Sequence, residues 1–173
     1  MKIRVLSRNQ ITRQYDKNPI FIEKTWIISI FNKGSFSPLP DRYNILKLEF
    51  DDVTERDTEE GLLHFNPGLA KEILEFIRKI KTDSKKLFLV HCDAGISRSG
   101  AVGYMLNEWF NKYLTSNRED DKYFKDNNVQ IMPNPEVVRI LKQEMFGNNY
   151  SGIFVNDYTY NEDGNRFDNV FEV

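Results

Sequence analysis

Apolar residues come in short bursts whose period switches between two and about 3.6, so strands and helices alternate along the chain. Residues 2–6 (KIRVL) predict a first strand, and Ser7 caps a brief helix that stops before Asn18-Pro19. The β-branched run 25–31 (TWIISIF) predicts a second strand, followed by a loop with Gly34, Pro38 and Pro40. In 45–50 (ILKLEF), alternation puts Leu46, Leu48 and Phe50 on one face of a half-buried strand. Residues 51–65 are acidic and unpatterned, which reads as a long loop. Asn66-Pro67 opens a helix with the stripe Leu69, Ala70, Ile73, Leu74, Ile77 and Ile80. The continuous run 87–91 (LFLVH) marks a central strand buried on both faces. An amphipathic helix follows, bearing Ala101, Val102, Met105, Leu106, Trp109, Phe110 and Tyr113. Residues 115–128 read as a loop or a short surface helix. Asn134-Pro135 opens a last helix with Val138, Leu141 and Met145, and Gly147 ends it. This order predicts an α/β fold, with a central, largely parallel sheet flanked by helices.

Residues 148–173 differ in character. They hold Asp157, Glu162, Asp163, Asp168 and Glu172 against Arg166. Asp163-Gly164 between two partly alternating runs predicts a β-hairpin. The chain therefore divides into a domain over 1–147 and an acidic hairpin or tail over 148–173.

With 173 residues, 40% of them apolar, the chain has enough hydrophobic material for one ordinary domain. Lys and Arg number 24 and Asp and Glu 26, a net charge of −2. That balance argues against a protein held mainly on nucleic-acid phosphates. One cysteine excludes an internal disulfide and a multi-thiolate zinc site. No cofactor or metal is expected from two histidines, His64 and His91. No run approaches the ~20 apolar residues of a spanning helix. The start, MKIRVLSRNQ, lacks a signal peptide's apolar stretch. A cytoplasmic location, with no membrane partner, is the expectation.

The chemistry sits in His91-Cys92-Asp93-Ala94-Gly95-Ile96-Ser97-Arg98-Ser99. A buried strand ends, a small-residue loop follows, and a helix begins. Such a loop aims backbone N–H groups at an anion, and the helix N-terminus adds partial positive charge. Amides of Asp93, Ala94, Gly95, Ile96, Ser97 and Arg98 are thus expected to bind phosphate. The Arg98 fork grips two phosphate oxygens. The same environment favours Cys92 as a thiolate. His91 is adjacent to Cys92 on the strand, so it points to the opposite face and is expected to hydrogen-bond behind the loop and support it. Ser99 sets a hydroxyl near the sulfur. Asp93 is expected to point outward into solvent, because its charge would repel a dianion.

Cys92, five residues, then Arg98-Ser99, preceded by His91, resembles the signature loop of the cysteine-based protein tyrosine phosphatases. Residues 94–99 (AGISRS) are most similar to the dual-specificity branch. Leu48-Glu49-Phe50-Asp51-Asp52 resembles that branch's general-acid loop, and Pro133-Asn134 its segment after the signature helix. The likeness spans roughly residues 25–147.

The resemblance implies a metal-free route through a phosphocysteine on Cys92, with Arg98 on the equatorial oxygens and Ser99 assisting departure of the sulfur. The general acid is one of Asp51, Asp52 and Asp57, and the family's strand-end pattern selects Asp52. No lysine lies in the loop, which favours phosphoproteins over inositol phosphates: phosphotyrosine first, with phosphoserine and phosphothreonine if the pocket is shallow. Two alternatives compete. One is a phosphatase of RNA 5′-phosphates, nucleotides or lipids. The other is a catalytically silent phosphopeptide-binding module.

Overall fold

The fold comes from a computed structural model, which describes residues 1–80 and 87–147 and the backbone of two short segments, 159–160 and 166–167. Four parallel strands form the sheet: β1 (Lys2–Ser7), β2 (Trp26–Phe31), β3 (Ile45–Glu49) and β4 (Leu87–Cys92), in spatial order β1-β4-β2-β3. The apolar run 87–91 is thus the interior strand its composition predicts. Five helices surround the sheet: α1 (Arg8–Lys17), α2 (Pro67–Arg78), α3 (Arg98–Asn107), α4 (Arg118–Asn127) and α5 (Pro135–Phe146). A 3₁₀ turn, Pro19–Lys24, precedes β2.

Side-chain alternation sorts the sheet into two faces. Ile3, Val5, Ile28, Ile30, Phe88, Val90 and Cys92 share a core with α2, α3 and α5. Leu6, Ile27 and Leu89 face the other way, onto Ile11 of α1 and Ile22 of the 3₁₀ turn. The caps are as predicted. Ser7 and Gln10 form a reciprocal capping box on α1, and Asn66 and Asn134 accept the first free amides of α2 and α5. Gly147 closes α5 at φ 73°.

Some expectations change. The helix after the signature loop is not amphipathic, because every residue of α3 is buried. It lies between the sheet, α4 and α5, so no solvent stripe remains. It runs on through a π-helical segment, Glu108–Leu114, where Trp109 stacks on Tyr113 and touches Phe146. Of the two readings of 115–128, the short surface helix holds, over 118–127. In α5, Val137 turns fully inward and Val138 only partly. In α2, Phe76 joins the core, at 5.5 Å from Trp26 and 6.2 Å from Phe88.

β1 is an edge strand, and its free side is covered. The Asn128 side chain accepts from Val5 N at 2.6 Å and donates to Ile3 O at 3.1 Å, as a neighbouring strand would. Beyond α5, Thr159–Tyr160 pairs antiparallel with Arg166–Phe167, the arms of the predicted hairpin. Its Asp163-Gly164 turn lies outside the described residues.

Candidate active site

β4 ends at Cys92, and the chain turns through residues 93–97 into α3. Cys92 is 1% exposed. The turn needs Gly95, which sits at φ 75° and packs on the β1–α1 junction. A Cβ there would lie 2.5 Å from Ser7 N and 2.6 Å from the Leu6 carbonyl carbon. The Gly95 amide donates to Cys92 Sγ at 3.3 Å, and Ser99 Oγ lies 3.0 Å from the same sulfur. Among the described residues, the amides of Ala94, Ile96 and Ser97 donate to no other group. The first turn of α3 adds its uncommitted N–H groups.

Arg98 is buried, and two of its three nitrogens are engaged. Nη1 donates to Phe50 O at 2.7 Å, which ties the loop to the end of β3, and Nη2 donates to Asp93 Oδ2 at 3.0 Å. Nε lies 4.0 Å from Asp52 Oδ2. Asp93 stays partly exposed, as its sequence position suggests, but it is also paired. Its carboxylate lies between two guanidinium groups, with Oδ1 3.6 Å from Arg8 Nη1. Two cations offset the repulsion that argued for an outward pose. Arg8 also donates its backbone N–H to Asp93 O at 3.1 Å.

The three candidate acids separate by what holds them. Asp51 accepts from Leu63 N at 2.9 Å and Lys33 N at 3.1 Å. Those bonds, led by the one from Leu63, hold its carboxyl below the ordinary range. Asp57 accepts from the amide and hydroxyl of Thr54, which lower its pKa likewise. Both carboxylates serve their own loop. Asp52 alone reaches the Cys92 loop. Its Oδ1 accepts from Ser97 Oγ at 2.7 Å and from Asn134 Nδ2 at 3.0 Å.

Asn134 has a larger part than its reading as a helix cap. Its Oδ1 caps α5 while its Nδ2 donates to both Asp52 and Val53 O, and its backbone N–H donates to Ser97 O at 3.3 Å. Farther along the acid loop, Glu55 lies 3.8 Å from Arg139 of α5. The Asn-Pro pair signals the cap in sequence, but nothing local signals the long-range Nδ2 bonds. Arg8 is similarly silent in sequence, since it lies 85 positions before Asp93.

His91 points away from Cys92, as strand alternation requires. It makes no hydrogen bond behind the loop, however. Neither ring nitrogen has a partner among the described residues. Burial above all, with the Arg8 charge, pushes its pKa down to about 4, opposed by the nearby Cys92 peptide group and Asp93. His91 thus fills space beneath the loop as a neutral ring. His64 is half-buried on the segment leading to α2, and Trp26 is a core residue.

Exposed apolar side chains stand beside these charged groups. Ile96 is 36% exposed and accepts a backbone bond from Met132, which is 47% exposed. Phe36, 72% exposed, lies with its ring centroid 5.1 Å from the Arg8 guanidinium.

No protein-family model matches this sequence, and no curated protein sequence matches it. Solved structures do. The PTP-2 phosphatase of Cydia pomonella aligns with a TM-score of 0.51 at 18% identity, over 82% of this chain and 84% of that one. The human tyrosine phosphatase-like serine/threonine/tyrosine-interacting protein aligns at 0.47 and 24% identity, over 74% and 82%. Human DUSP28 aligns at 0.48 and 16% identity, over 83% and 87%. The PTP-2 match extends over most of both chains. A parallel sheet with its cysteine loop at the carboxyl end of an interior strand is thus a fold this chain shares with the PTP-2 phosphatase.

Proposed function

We propose that this chain hydrolyses phosphate monoesters through a phosphocysteine intermediate, with phosphotyrosine in proteins as its leading substrate and residues 1–147 as the catalytic unit. One observation carries the reading. Cys92 Sγ, Ser99 Oγ, the Gly95 amide, Arg98 and Asp52 converge on one loop at a strand end.

In the first step the Cys92 thiolate attacks phosphorus as the bond to the ester oxygen breaks. Asp52 gives its proton to that leaving oxygen. The free loop amides and Arg98 stabilise the charge on the equatorial oxygens. Ser97 and Asn134 hold the Asp52 carboxyl beside the loop. In the second step water attacks phosphorus, Asp52 takes the water's proton, and the P–S bond breaks. The departing thiolate receives hydrogen bonds from Ser99 Oγ and the Gly95 amide. Phosphate leaves and the thiolate is restored. The exposed apolar side chains of Phe36, Ile96 and Met132 beside the loop suit an aromatic leaving group.

The test is hydrolysis of an aryl phosphate in EDTA with fresh reductant, for wild type and Cys92→Ser. Turnover lost in a folded Cys92→Ser protein is the expected result. Turnover kept in that variant overturns the mechanism. A folded wild type that binds phosphate without turnover points to a phosphopeptide-binding module instead.

A further inference from the structure

We propose that Arg8 is a positioning residue that sets phosphate affinity through Asp93, by drawing that carboxylate away from the Arg98 fork. The proposal rests on the phosphatase reading of the loop.

Arg98 has little freedom. Nη1 is committed to Phe50 O, and Nη2 is taken by Asp93. Nε has no hydrogen-bond partner among the described residues, and the Asp52 carboxylate lies 4.0 Å from it. A two-point grip on phosphate needs a second nitrogen beside Nε. With Nη1 held by a buried carbonyl, that nitrogen is Nη2, where Asp93 already occupies one of the two N–H donors and sits beside the place a phosphate oxygen would take. Asp93 is also a negative charge close to an incoming dianion.

Arg8 stands where it resolves both problems. Its Nη1 lies 3.6 Å from the Asp93 oxygen that Arg98 does not hold. A small rotation of the carboxylate exchanges one guanidinium for the other. The Arg8 end is well anchored. Its backbone N–H holds Asp93 O, its helix is capped by Ser7, and its guanidinium lies against Phe36. Asp93 is 40% exposed at the side chain and Arg98 is 5% exposed, so the carboxylate is the partner with room to move. Among the described residues, the charged groups within ion-pair reach of Asp93 are Arg8 and Arg98.

The test is calorimetric titration of inorganic phosphate into Cys92→Ser protein, which binds without turning over. Four backgrounds are compared: Arg8 and Asp93 intact, Arg8→Gln, Asp93→Asn, and both. Arg8→Gln is expected to raise the phosphate Kd about fivefold, the scale of one partly exposed ion pair. Asp93→Asn is expected to lower it. In the Asp93→Asn background the Arg8→Gln effect should shrink below about twofold, because the carboxylate it acts through is gone. Arg8→Lys keeps the charge and should restore most of the affinity.

An equal loss from Arg8→Gln in both backgrounds overturns the proposal, since Arg8 would then act on phosphate directly or on the fold. No change from Arg8→Gln overturns it as well. Wild-type turnover of an aryl phosphate separates the two failures. An active enzyme whose phosphate affinity ignores Arg8 sinks only this proposal. A protein that neither turns over nor binds phosphate sinks the reading of the loop, and this proposal with it.

Discussion

Asn134 holds Asp52: its Nδ2 donates to Asp52 Oδ1 at 3.0 Å while its Oδ1 caps α5. The two ends of one amide do separable work. Asn134→Asp keeps the cap, loses the donor and sets a second carboxylate against Asp52. Helix stability should persist while kcat falls at least tenfold. Asn134→Ala should lose both, with about 1 kcal/mol of stability for the missing cap. Thermal melts beside kinetics distinguish the two outcomes. Equal stability loss in both variants would contradict this division.

Asp52→Asn removes the proposed proton donor. The loss should grow with the leaving group's basicity, from small for an activated aryl phosphate to about 10²-fold or more for an alkyl ester. Asp51→Asn should behave differently. Its carboxylate is stabilised by Leu63 and Lys33 amides, so its folded pKa is depressed. Its contribution to stability is present at neutral pH and fades as pH falls below about 3.8. Asp51→Asn should therefore destabilise the fold at pH 7 without leaving-group dependence. A loss equal for all esters in Asp52→Asn would rule out its role as acid.

Ser99 Oγ lies 3.0 Å from the sulfur. On the proposed route its hydroxyl should matter most when the thiolate departs, in the second step. Ser99→Ala should slow phosphocysteine hydrolysis more than its formation. Rapid mixing with an aryl phosphate should then show a burst of phenol near one equivalent per site, followed by a slower steady state. A reduced rate with no burst would mean that Ser99 serves the first step.

His91 gives a pH test of stability. Its folded pKa is lowered to about 4, against 6.5 for a free side chain. The unfolded chain therefore binds a proton in that window while the folded one does not. Stability is full above pH 6.5, drains as pH falls toward 4, and is flat below. The total is about 3 kcal/mol. Denaturant midpoints from pH 7.5 to 4 should follow this curve, and His91→Gln should flatten that part of it. An unchanged pH slope in His91→Gln would show that the imidazole titrates normally.

Much of this architecture is legible in sequence because its signals are local. LFLVH is apolar at every position because β4 is covered on both faces. The three capping pairs sit where the chain begins each helix. Cys92, Gly95, Arg98 and Ser99 lie in one contiguous loop, so spacing alone brings them together. What sequence does not show is set by distant contacts. Arg8 meets Asp93 only because β1 lies beside β4 in register, Ser7 against Cys92. Asn134 meets Asp52 only once α5 packs near the acid loop. The choice among Asp51, Asp52 and Asp57 is equally tertiary, since all three share one chemistry and differ in which amides they face. The burial of α3 on every side was hidden by Tyr104 and Asn107. These polar residues suggest an exposed face, yet Asn107 is buried and bonds Asn111 and Asp121.

The strand order has a consequence for how the molecule is made. β4 pairs with β1 on one side and β2 on the other, yet it is the last of the four to leave the ribosome. Until it arrives, β1 and the β2–β3 pair have no partner between them, and their inner edges stand open. From the end of β3 at Glu49 to the start of β4 at Leu87 the nascent chain must hold β1 and the β2–β3 pair apart, which favours late folding and contact with chaperones. The strand that closes the gap also carries Cys92, while Gly95, Arg98, Ser99 and Asn134, which complete its surroundings, all follow it in the chain.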